Sequence, residues 1–340
     1  MGGLVWSRVS RDVDHSAWWE LAALDMLSEE HQRRLWRTLD HVVATCADLG
    51  LEVATVKGIT AQARWYARPG ERPCSDLDLL VSPADFGRAR EIIETLHPGH
   101  VLAPDANRLV RNGLLQSIDL VVEGVPVDLH FDVLKLGIPA RQNRRIWERT
   151  VPFALPNGRQ VRVLDPDTAL IHLLVHLNKD RFRWLLGYAD VARLLAHEQP
   201  DWAFIERFSR DEGLDVAVGR TLQVVVEALD LAPTPTAVPR DWRTAVWDFL
   251  WRPGVRLQGD LGTVRFRHRQ DALPVLAPGR RREALWLWLR RRLFPPRAFL
   301  DEWYPGTPGP YLWRVVRGRA ENVWNRQRAW LSRMVGESRS

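Results

Sequence analysis

Two aspartates, two positions apart, begin an apolar run early in the chain. The run extends from Asp76 through Leu77 and Asp78 to Val81 and is typical of a buried strand. Residues two apart in a strand point to the same face, so both carboxylates would project together. Paired carboxylates repel each other unless a divalent cation lies between them. We therefore expect a magnesium site here; the alternative is that both acids cap or turn the start of a strand.

A predicted hairpin supplies candidates for a third carboxylate. The segments Gln116–Val122 and Val125–Val133 are rich in β-formers, and the residues at 123–124, Glu-Gly, predict a two-residue turn. In that register Asp119 lies opposite Asp128, and two like charges that face each other need a cation or a proton to relieve them. Asp128 is the predicted third metal ligand, and Asp119 is the less favoured substitute.

Three carboxylates on adjoining strands suit nucleotidyl transfer. This reaction moves a phosphoryl centre from a pyrophosphate leaving group to an attacking hydroxyl, so the enzyme mainly positions reactants and neutralises charge. Two Mg²⁺ or Mn²⁺ ions can do both, and Mg²⁺ prefers oxygen ligands. We expect Asp76, Asp78 and Asp128 to be the catalytic and metal-binding residues, with a nucleoside triphosphate such as ATP as co-substrate.

Residues near these acids are predicted to contact the nucleotide. Gly58 ends one apolar run and begins a helical pattern, so its amide can approach phosphate without a Cβ in the way. Lys57 and Arg72 are cations within plausible reach of a triphosphate, and Ser75 offers a hydroxyl beside the first acid. Each has a simpler interpretation: Gly58 as a turn, the cations as solvated charges, and Ser75 as a cap.

Three histidines are candidates for a role in the site. His130 follows Asp128 by two positions and so shares its face, where it could orient a metal ligand or contact the nucleotide; the alternative is a core histidine. His172 and His176 are four apart on one helix face, a spacing that can hold zinc. No Glu follows His172 as a metalloprotease would require, and a helix face turned toward the site is favoured over metal binding.

The rest of the chain predicts mostly helices. Helical spacing is present over 16–49, which ends at Gly50, and a strand is predicted over Leu51–Val56. Further predicted helices cover 58–66, 83–96, 166–178, 182–197, 201–212, 214–230, 239–251, 281–293 and 311–335. Pro and Gly interrupt 253–280 and 295–310, which we expect to be irregular.

The motif residues resemble a known family. The stretch KGITAQARWYARPGERPCSDLDLLV is similar to the Lys-Gly, Arg-Pro-x-Ser-Asp and Asp-x-Asp pattern of uncharacterised bacterial nucleotidyltransferases of the DNA polymerase β superfamily. Abortive-infection nucleotidyltransferase toxins share a similar arrangement. The resemblance continues in VPVDLHFDVL and in the helical region after residue 165, and it covers about residues 50–200. Ile59 stands where the family usually has Gly or Ser, which puts the phosphate contact of Gly58 in doubt.

The resemblance implies an α+β fold, in which a nucleotidyltransferase palm (a mixed β-sheet with helices) is followed by a helical C-terminal region. We expect four parts. They are an N-terminal helical segment at 1–50, the palm at 51–160, a helical substrate-side domain at 161–252 and a basic, Trp-rich helical region at 253–340.

Composition and charge narrow the setting of the protein. The chain has 340 residues, long enough for two domains, and only two cysteines, which suits a reducing cytosol. No targeting signal or transmembrane segment is predicted, so we expect a cytoplasmic protein. The net charge of +6 is uneven, because the stretch from Arg252 to Ser340 contains nineteen Arg and seven Asp or Glu. This basic third could bind RNA, anionic lipid or an acidic protein, or it could reflect codon bias alone.

The favoured function is transfer of a nucleoside monophosphate to a hydroxyl of an unidentified acceptor, which could be a small molecule, a peptide or protein, or an RNA end. Two alternatives remain open. One is a palm-fold binding or assembly module that has lost catalysis. The other is a tRNA-modifying toxin of the abortive-infection type, whose basic third would bind the RNA backbone.

Overall fold

The computed structural model describes residues 15–96, 117–134 and 141–251, except 156, 181, 183, 236 and 237, together with residues 310, 311, 313, 316 and 317. The predicted helices at 281–293 and 311–335 and the irregular segments at 253–280 and 295–310 lie outside this description, apart from those five residues. The described residues therefore fall almost entirely within the first three predicted parts, 1–252.

Six strands form one mixed sheet in the order β3-β4-β2-β1-β6-β5. Strands β1 and β2 are antiparallel, as are β3 and β4, and β5 and β6, whereas β2 runs parallel to β4 and β1 runs parallel to β6. The strands are β1 (Ala54–Thr55), β2 (Leu77–Leu80), β3 (Ser117–Val122), β4 (Val125–His130), β5 (Thr150–Ala154) and β6 (Gln160–Leu164).

Helices account for most of the remaining described chain, which confirms the predicted α+β class. A short 3₁₀ turn, Pro69–Glu71, precedes the strand that bears the two aspartates. The helices are α1 (His15–Asp48), α2 (Gly58–Trp65), α3 (Phe86–Thr95), α4 (Arg141–Glu148), α5 (Pro166–Lys179), α6 (Leu185–His197), α7 (Trp202–Asp211), α8 (Asp215–Leu229) and α9 (Trp242–Trp251).

Strand alternation divides the core between the two faces of the sheet. Leu77 and Leu79 join an apolar cluster with residues of α1 and α3, whereas Leu80 joins a second cluster with residues of α5 and the later helices. Because successive strand residues face opposite ways, Asp78 lies on the same face as Leu80. The carboxylate therefore lies on the face that the later helices cover.

Local sequence explains the start of the helix that lies nearest to this face. The carboxylate of Asp165 accepts a hydrogen bond from the backbone N–H of Thr168, and Pro166 occupies the first helical position. Both features stabilise the N-terminus of α5, because the cap satisfies an unpaired donor and proline has none to satisfy.

Some element boundaries differ from the predictions. The strand predicted over Leu51–Val56 pairs only at Ala54 and Thr55. The helix predicted from residue 83 begins at Phe86, because the Ser82 hydroxyl donates to the Asp85 carboxylate and forms a turn before it. The hairpin of β5 and β6 was not predicted, and the proposed palm boundary at 160 falls on the first residue of β6.

In the part of the chain that the structure describes, every helix is too short or too polar to cross a membrane. The cytoplasmic location stays a prediction.

Candidate active site

Two aspartates face each other across parallel strands. Asp78 of β2 is the register partner of Asp128 of β4, and Asp119 of β3 is in turn the partner of Asp128, as the hairpin predicted. Asp78 is buried, with 7% of its surface exposed, and Asp128 is half-buried, whereas Asp119 is exposed. The sheet thus brings two of the three predicted carboxylates together at one buried spot.

Lys57 and His130 hold these carboxylates in place. The Lys57 ammonium donates to Oδ1 of Asp78 at 2.6 Å, and Nε2 of His130 lies 2.8 Å from the same oxygen. The same imidazole nitrogen lies 3.1 Å from Oδ2 of Asp128. His130 is fully buried, so the two carboxylates share one donor in a site that water barely reaches.

The ring of His130 is oriented by what surrounds its two nitrogens. Nδ1 is buried and has no hydrogen-bond partner among the described residues, whereas Nε2 faces two carboxylate oxygens. A proton on the imidazole is most stable on the nitrogen that faces the acceptors. His130 therefore acts as a donor that positions Asp78 and Asp128.

The two aspartates of the Asp-x-Asp run are in opposite electrostatic environments. Burial raises the pKa of Asp78, but the Lys57 ammonium and the His130 imidazole outweigh this and hold that pKa below its ordinary value. Burial, followed by the charge of Asp78, raises the pKa of Asp76. Asp76 precedes β2 and accepts a hydrogen bond from the Ser75 hydroxyl at 3.0 Å.

The donor set fits a divalent cation. Ligand atoms of Asp78, Asp128 and His130 all lie within 4.8 Å of one another. Two carboxylates supply the oxygen ligands that Mg²⁺ and Mn²⁺ accept. His130 is the weaker ligand of the three, because a metal-bound imidazole normally donates its other N–H to a partner and Nδ1 has none in the described chain.

The turn before α2 places a strained lysine next to the carboxylates. Lys57 adopts φ 55 and ψ −127, a conformation that glycine accepts far more readily than lysine. Gly58 follows it and begins α2, but the absence of a side chain there has a packing reason. A Cβ on Gly58 would lie 2.9 Å from Sγ of Cys74, which is closer than real Cβ contacts.

The other two predicted nucleotide contacts, Arg72 and Ser75, bond to Asp190 and Asp76 rather than to Asp78 or Asp128. The Arg72 guanidinium donates through Nε and Nη2 to the Asp190 carboxylate, at 2.8 to 3.1 Å, and through Nη1 to the Pro73 carbonyl. Ser75 is exposed and donates to Asp76. Arg72 is therefore paired with Asp190 of α6. A nucleotide contact by Arg72 or Ser75 stays a prediction.

Two buried glutamines that sequence reasoning missed hold the loop before Asp76. Gln32 of α1 donates to the Cys74 carbonyl and accepts from the Cys74 N–H, both at 3.1 Å. Gln62 of α2 donates to Gln32 and to the carbonyls of Pro69 and Arg72. In the sequence, the signal for this network was a glutamine at an apolar position of each helical pattern.

A small cavity adjoins Lys57 on the side of α5. Its volume is about 10 Å³, and its polar lining comes from Thr55, Lys57, Thr60 and His172. His172 is 2% exposed, and its Nε2 has no hydrogen-bond partner in the described part of the chain. Burial, followed by the charge of Lys57, holds the pKa of His172 well below its ordinary value, so the imidazole is neutral.

Paired carboxylates at one buried spot of a mixed sheet, with a cation beside them, define a class of site suited to chemistry on phosphate groups. The chain belongs to a family described as uncharacterised nucleotidyltransferases, whose family model matches residues 4–230. This confirms the uncharacterised nucleotidyltransferase family predicted from the motif residues, whereas the bacterial origin and the relation to abortive-infection toxins stay predictions.

The chain also resembles a solved structure of low sequence identity. The chain is similar to an antigenic nucleotidyltransferase-like protein from Paracoccidioides brasiliensis, with 14% identity and a TM-score of 0.32, over 64% of this chain and 97% of that one. No curated protein matches the sequence.

Proposed function

We propose that the protein is a metal-dependent nucleotidyltransferase that moves a nucleoside monophosphate from a nucleoside triphosphate to a hydroxyl group of an acceptor. The observation that carries the proposal is the pairing of Asp78 with Asp128 across β2 and β4, under the ammonium of Lys57. Family membership supports the reaction class.

In this proposal the carboxylates of Asp76, Asp78 and Asp128 hold the cation. A bound Mg²⁺ or Mn²⁺ would neutralise charge on the triphosphate and lower the pKa of the acceptor hydroxyl. The acceptor oxygen forms a bond to the α-phosphorus, and the bond from that phosphorus to the pyrophosphate breaks. We assign to Asp128, which is less buried than Asp78, the role of accepting the proton that the hydroxyl loses.

The remaining predicted contacts have supporting roles. Lys57 and Ser75 lie beside the carboxylates and would contact the triphosphate, and Gly58 starts the adjoining helix. We assign the chemistry to the predicted palm, extended to Leu164 at the end of β6, and substrate contacts to the helices that follow. The basic third at 253–340 is the part of the chain that would bind an RNA acceptor.

The test is transfer of label from each α-labelled nucleoside triphosphate into cell extract, with Mg²⁺ or Mn²⁺ present. We expect label in a specific acceptor, and expect Asp78→Asn and Asp128→Asn to retain less than about 1% of the rate, because each loses charge stabilisation worth several kcal/mol. Asp230→Asn is the matched control, because Asp230 is exposed. Its backbone lies in the left-handed α region, which Asn tolerates.

The result also decides between the alternatives. Equal labelling by the wild type and Asp78→Asn would overturn the proposal and favour a binding module. Label in tRNA, lost steeply as salt rises, would identify an RNA acceptor bound through phosphate contacts.

A further inference from the structure

The Lys57 ammonium lies against the most buried carboxylate of the site, that of Asp78. Its Nζ lies 2.6 Å from Oδ1 of Asp78, and the two side chains are only 12% and 9% exposed. The charges of Asp76 and Asp128 also act on Lys57. The buried pair of Asp78 and Asp128, with Asp76 nearby, needs compensating charge, and Lys57 is a cation in contact with Asp78.

The same oxygen cannot serve Lys57 and a metal ion together. A carboxylate oxygen has about two lone pairs, and Oδ1 of Asp78 already faces Lys57 Nζ and His130 Nε2. A divalent cation bound there would also repel the ammonium at short range in a poorly solvated site. Metal binding at Oδ1 of Asp78 therefore requires the lysine to move.

The adjoining cavity offers a destination for the ammonium. Lys57 already lines it, together with His172, Thr55 and Thr60, and its volume of about 10 Å³ suits one small polar group. His172 is 2% exposed and has an unpartnered Nε2, at least among the described residues. In a neutral imidazole the nitrogen without a proton accepts a hydrogen bond, and Nε2 is that nitrogen when Nδ1 carries the proton. An ammonium group would then satisfy Nε2.

The backbone of Lys57 adopts a conformation that is costly for a lysine. The positive φ at this position favours glycine, so a lysine here is costly and its side chain offsets that cost. Thr60 donates to Thr55 at 2.8 Å and ties the first turn of α2 to β1 beneath it.

We propose that Lys57 is a resident counter-ion of the carboxylates, which a divalent cation displaces from Asp78 into the cavity, where Nε2 of His172 accepts the ammonium. This inference rests on the proposed metal-binding function, and it replaces the triphosphate contact proposed above for Lys57. It makes His172 a positioning residue, which acts on the metal site through Lys57 and touches neither the metal nor the substrate.

The chain is well suited to a direct test, because it contains only three lysines, Lys57, Lys135 and Lys179. Protein labelled with ¹⁵N at lysine and histidine side chains is titrated with Mg²⁺ without nucleotide, and the Lys57 signal is identified by its loss in Lys57→Met. We expect the Lys57 Nζ and His172 ring signals to shift together, with the same midpoint. A Lys57 signal that stays in place while the metal binds would overturn the inference.

A second measurement uses the affinity for Mn²⁺, read from the free-ion electron paramagnetic resonance signal. We expect Lys57→Met to bind Mn²⁺ at least about tenfold more tightly, because the competing ammonium is gone. His172→Leu should weaken binding in the wild type but not in the Lys57→Met background. Lys179→Met removes the same charge at a different place, the end of α5, and should leave the affinity unchanged.

The outcomes separate this inference from the proposed function. If His172→Leu weakens binding equally in both backgrounds, the cavity does not receive Lys57 and the inference is wrong, since coupled residues are non-additive. If the wild type shows no Mn²⁺ binding that Asp78→Asn abolishes, the proposed function itself fails, and this inference fails with it.

Discussion

At the scale of single residues, burial and immediate partners decide what each side chain does. Asp76 and Asp78 are the same residue type two positions apart, yet the pKa of the first is raised and the pKa of the second is lowered. The difference arises because Lys57 and His130 both contact Asp78. Asp78 is thus stabilised as an anion, whereas Asp76 is destabilised as one.

The same conservative change should therefore have opposite effects on stability at these two positions. At pH 7 with chelator, we expect Asp78→Asn to lower the free energy of unfolding by about 3–5 kcal/mol, because the Lys57 ammonium would stay buried without its partner. Asp76→Asn should raise it by up to about 1 kcal/mol, because a charge disfavoured in the folded state is removed. Urea denaturation measures both.

The pH dependence follows from the signs of the two pKa shifts. The lowered pKa of Asp78 contributes stability above its unfolded pKa, and that stability is lost as pH falls through the folded pKa. The raised pKa of Asp76 costs stability above its folded pKa, and acidification removes the cost. The advantage of Asp76→Asn should therefore vanish at low pH; an advantage that persists there would contradict this account.

Gly58 is needed for packing against Cys74, by the geometry of the structure. Gly58→Ala should destabilise the protein by about 1–3 kcal/mol, the usual cost of overpacking, because its Cβ would lie 2.9 Å from Sγ. Cys74→Ala removes that sulfur, so the double variant should regain most of the loss. Unfolding of both single variants and the double variant in urea tests this. No recovery in the double variant would point to a role of Gly58 elsewhere, such as phosphate contact.

At the scale of elements, the loop that leads to Asp76 is held from two sides. Gln32 and Gln62 hold its backbone from α1 and α2, and Arg72 anchors it to Asp190 of α6. The hydroxyl of Tyr66 donates to the same Asp190 carboxylate at 2.9 Å. Three helices therefore position one short connection, which in turn sets where β2 and its aspartates begin.

Loss of the Gln32 amide should loosen this loop without unfolding the sheet. In Gln32→Leu we expect hydrogen exchange at the Cys74 amide to become at least about tenfold faster, because the acceptor of that N–H at 3.1 Å is removed. Amides of β4 should keep their protection. Gln223→Leu on α8 is the control, because Gln223 accepts a hydrogen bond from Arg220 of the same helix, away from this loop. Unchanged exchange at Cys74 would show that the loop is held by other contacts.

At the scale of the whole molecule, the sheet and the later helices share one core. Ala54 and Leu80 of the sheet belong to the same apolar cluster as Leu170 and Leu174 of α5, and the carboxylates lie on that face. Arg64 and Trp65 at the end of α2 also bond to Glu198 after α6, at 2.5 and 3.1 Å. The predicted palm and the helical region are therefore joined by apolar burial and by polar contacts.

A chain cut after Leu164 should consequently fail to fold as an independent unit. The cut exposes the apolar face that α5 covers, and exposed apolar surface costs roughly 25 cal/mol per Å². We expect fragment 1–164 to bind the dye ANS and to lack a cooperative thermal transition, unlike the full chain. A sharp transition in the fragment would show that the palm is stable by itself.

Most of the fold could be predicted from the sequence, because strand alternation and turn residues are local patterns in the chain. The alternation around the turn at 123–124 predicted the β3–β4 hairpin and the pairing of Asp119 with Asp128, and the structure confirms both. The β5–β6 hairpin was missed although Gly158 with positive φ marks its turn, and Val161 and Val163 alternate into the core. Its first strand, Thr150–Ala154, contains proline and is mostly exposed, so its apolar pattern is weak.

The sequence by itself determined the family, the α+β class and which acids, cation and histidine to consider, because motif spacing and strand periodicity are properties of the linear chain. Only the tertiary structure decided that Lys57 and His130 both contact Asp78, that Arg72 is bound by Asp190, and that His172 lines a cavity beside Lys57. These contacts join residues 21 to 118 positions apart in the chain, and packing of separate elements against one sheet brings such pairs together. No local pattern specifies which partners then meet.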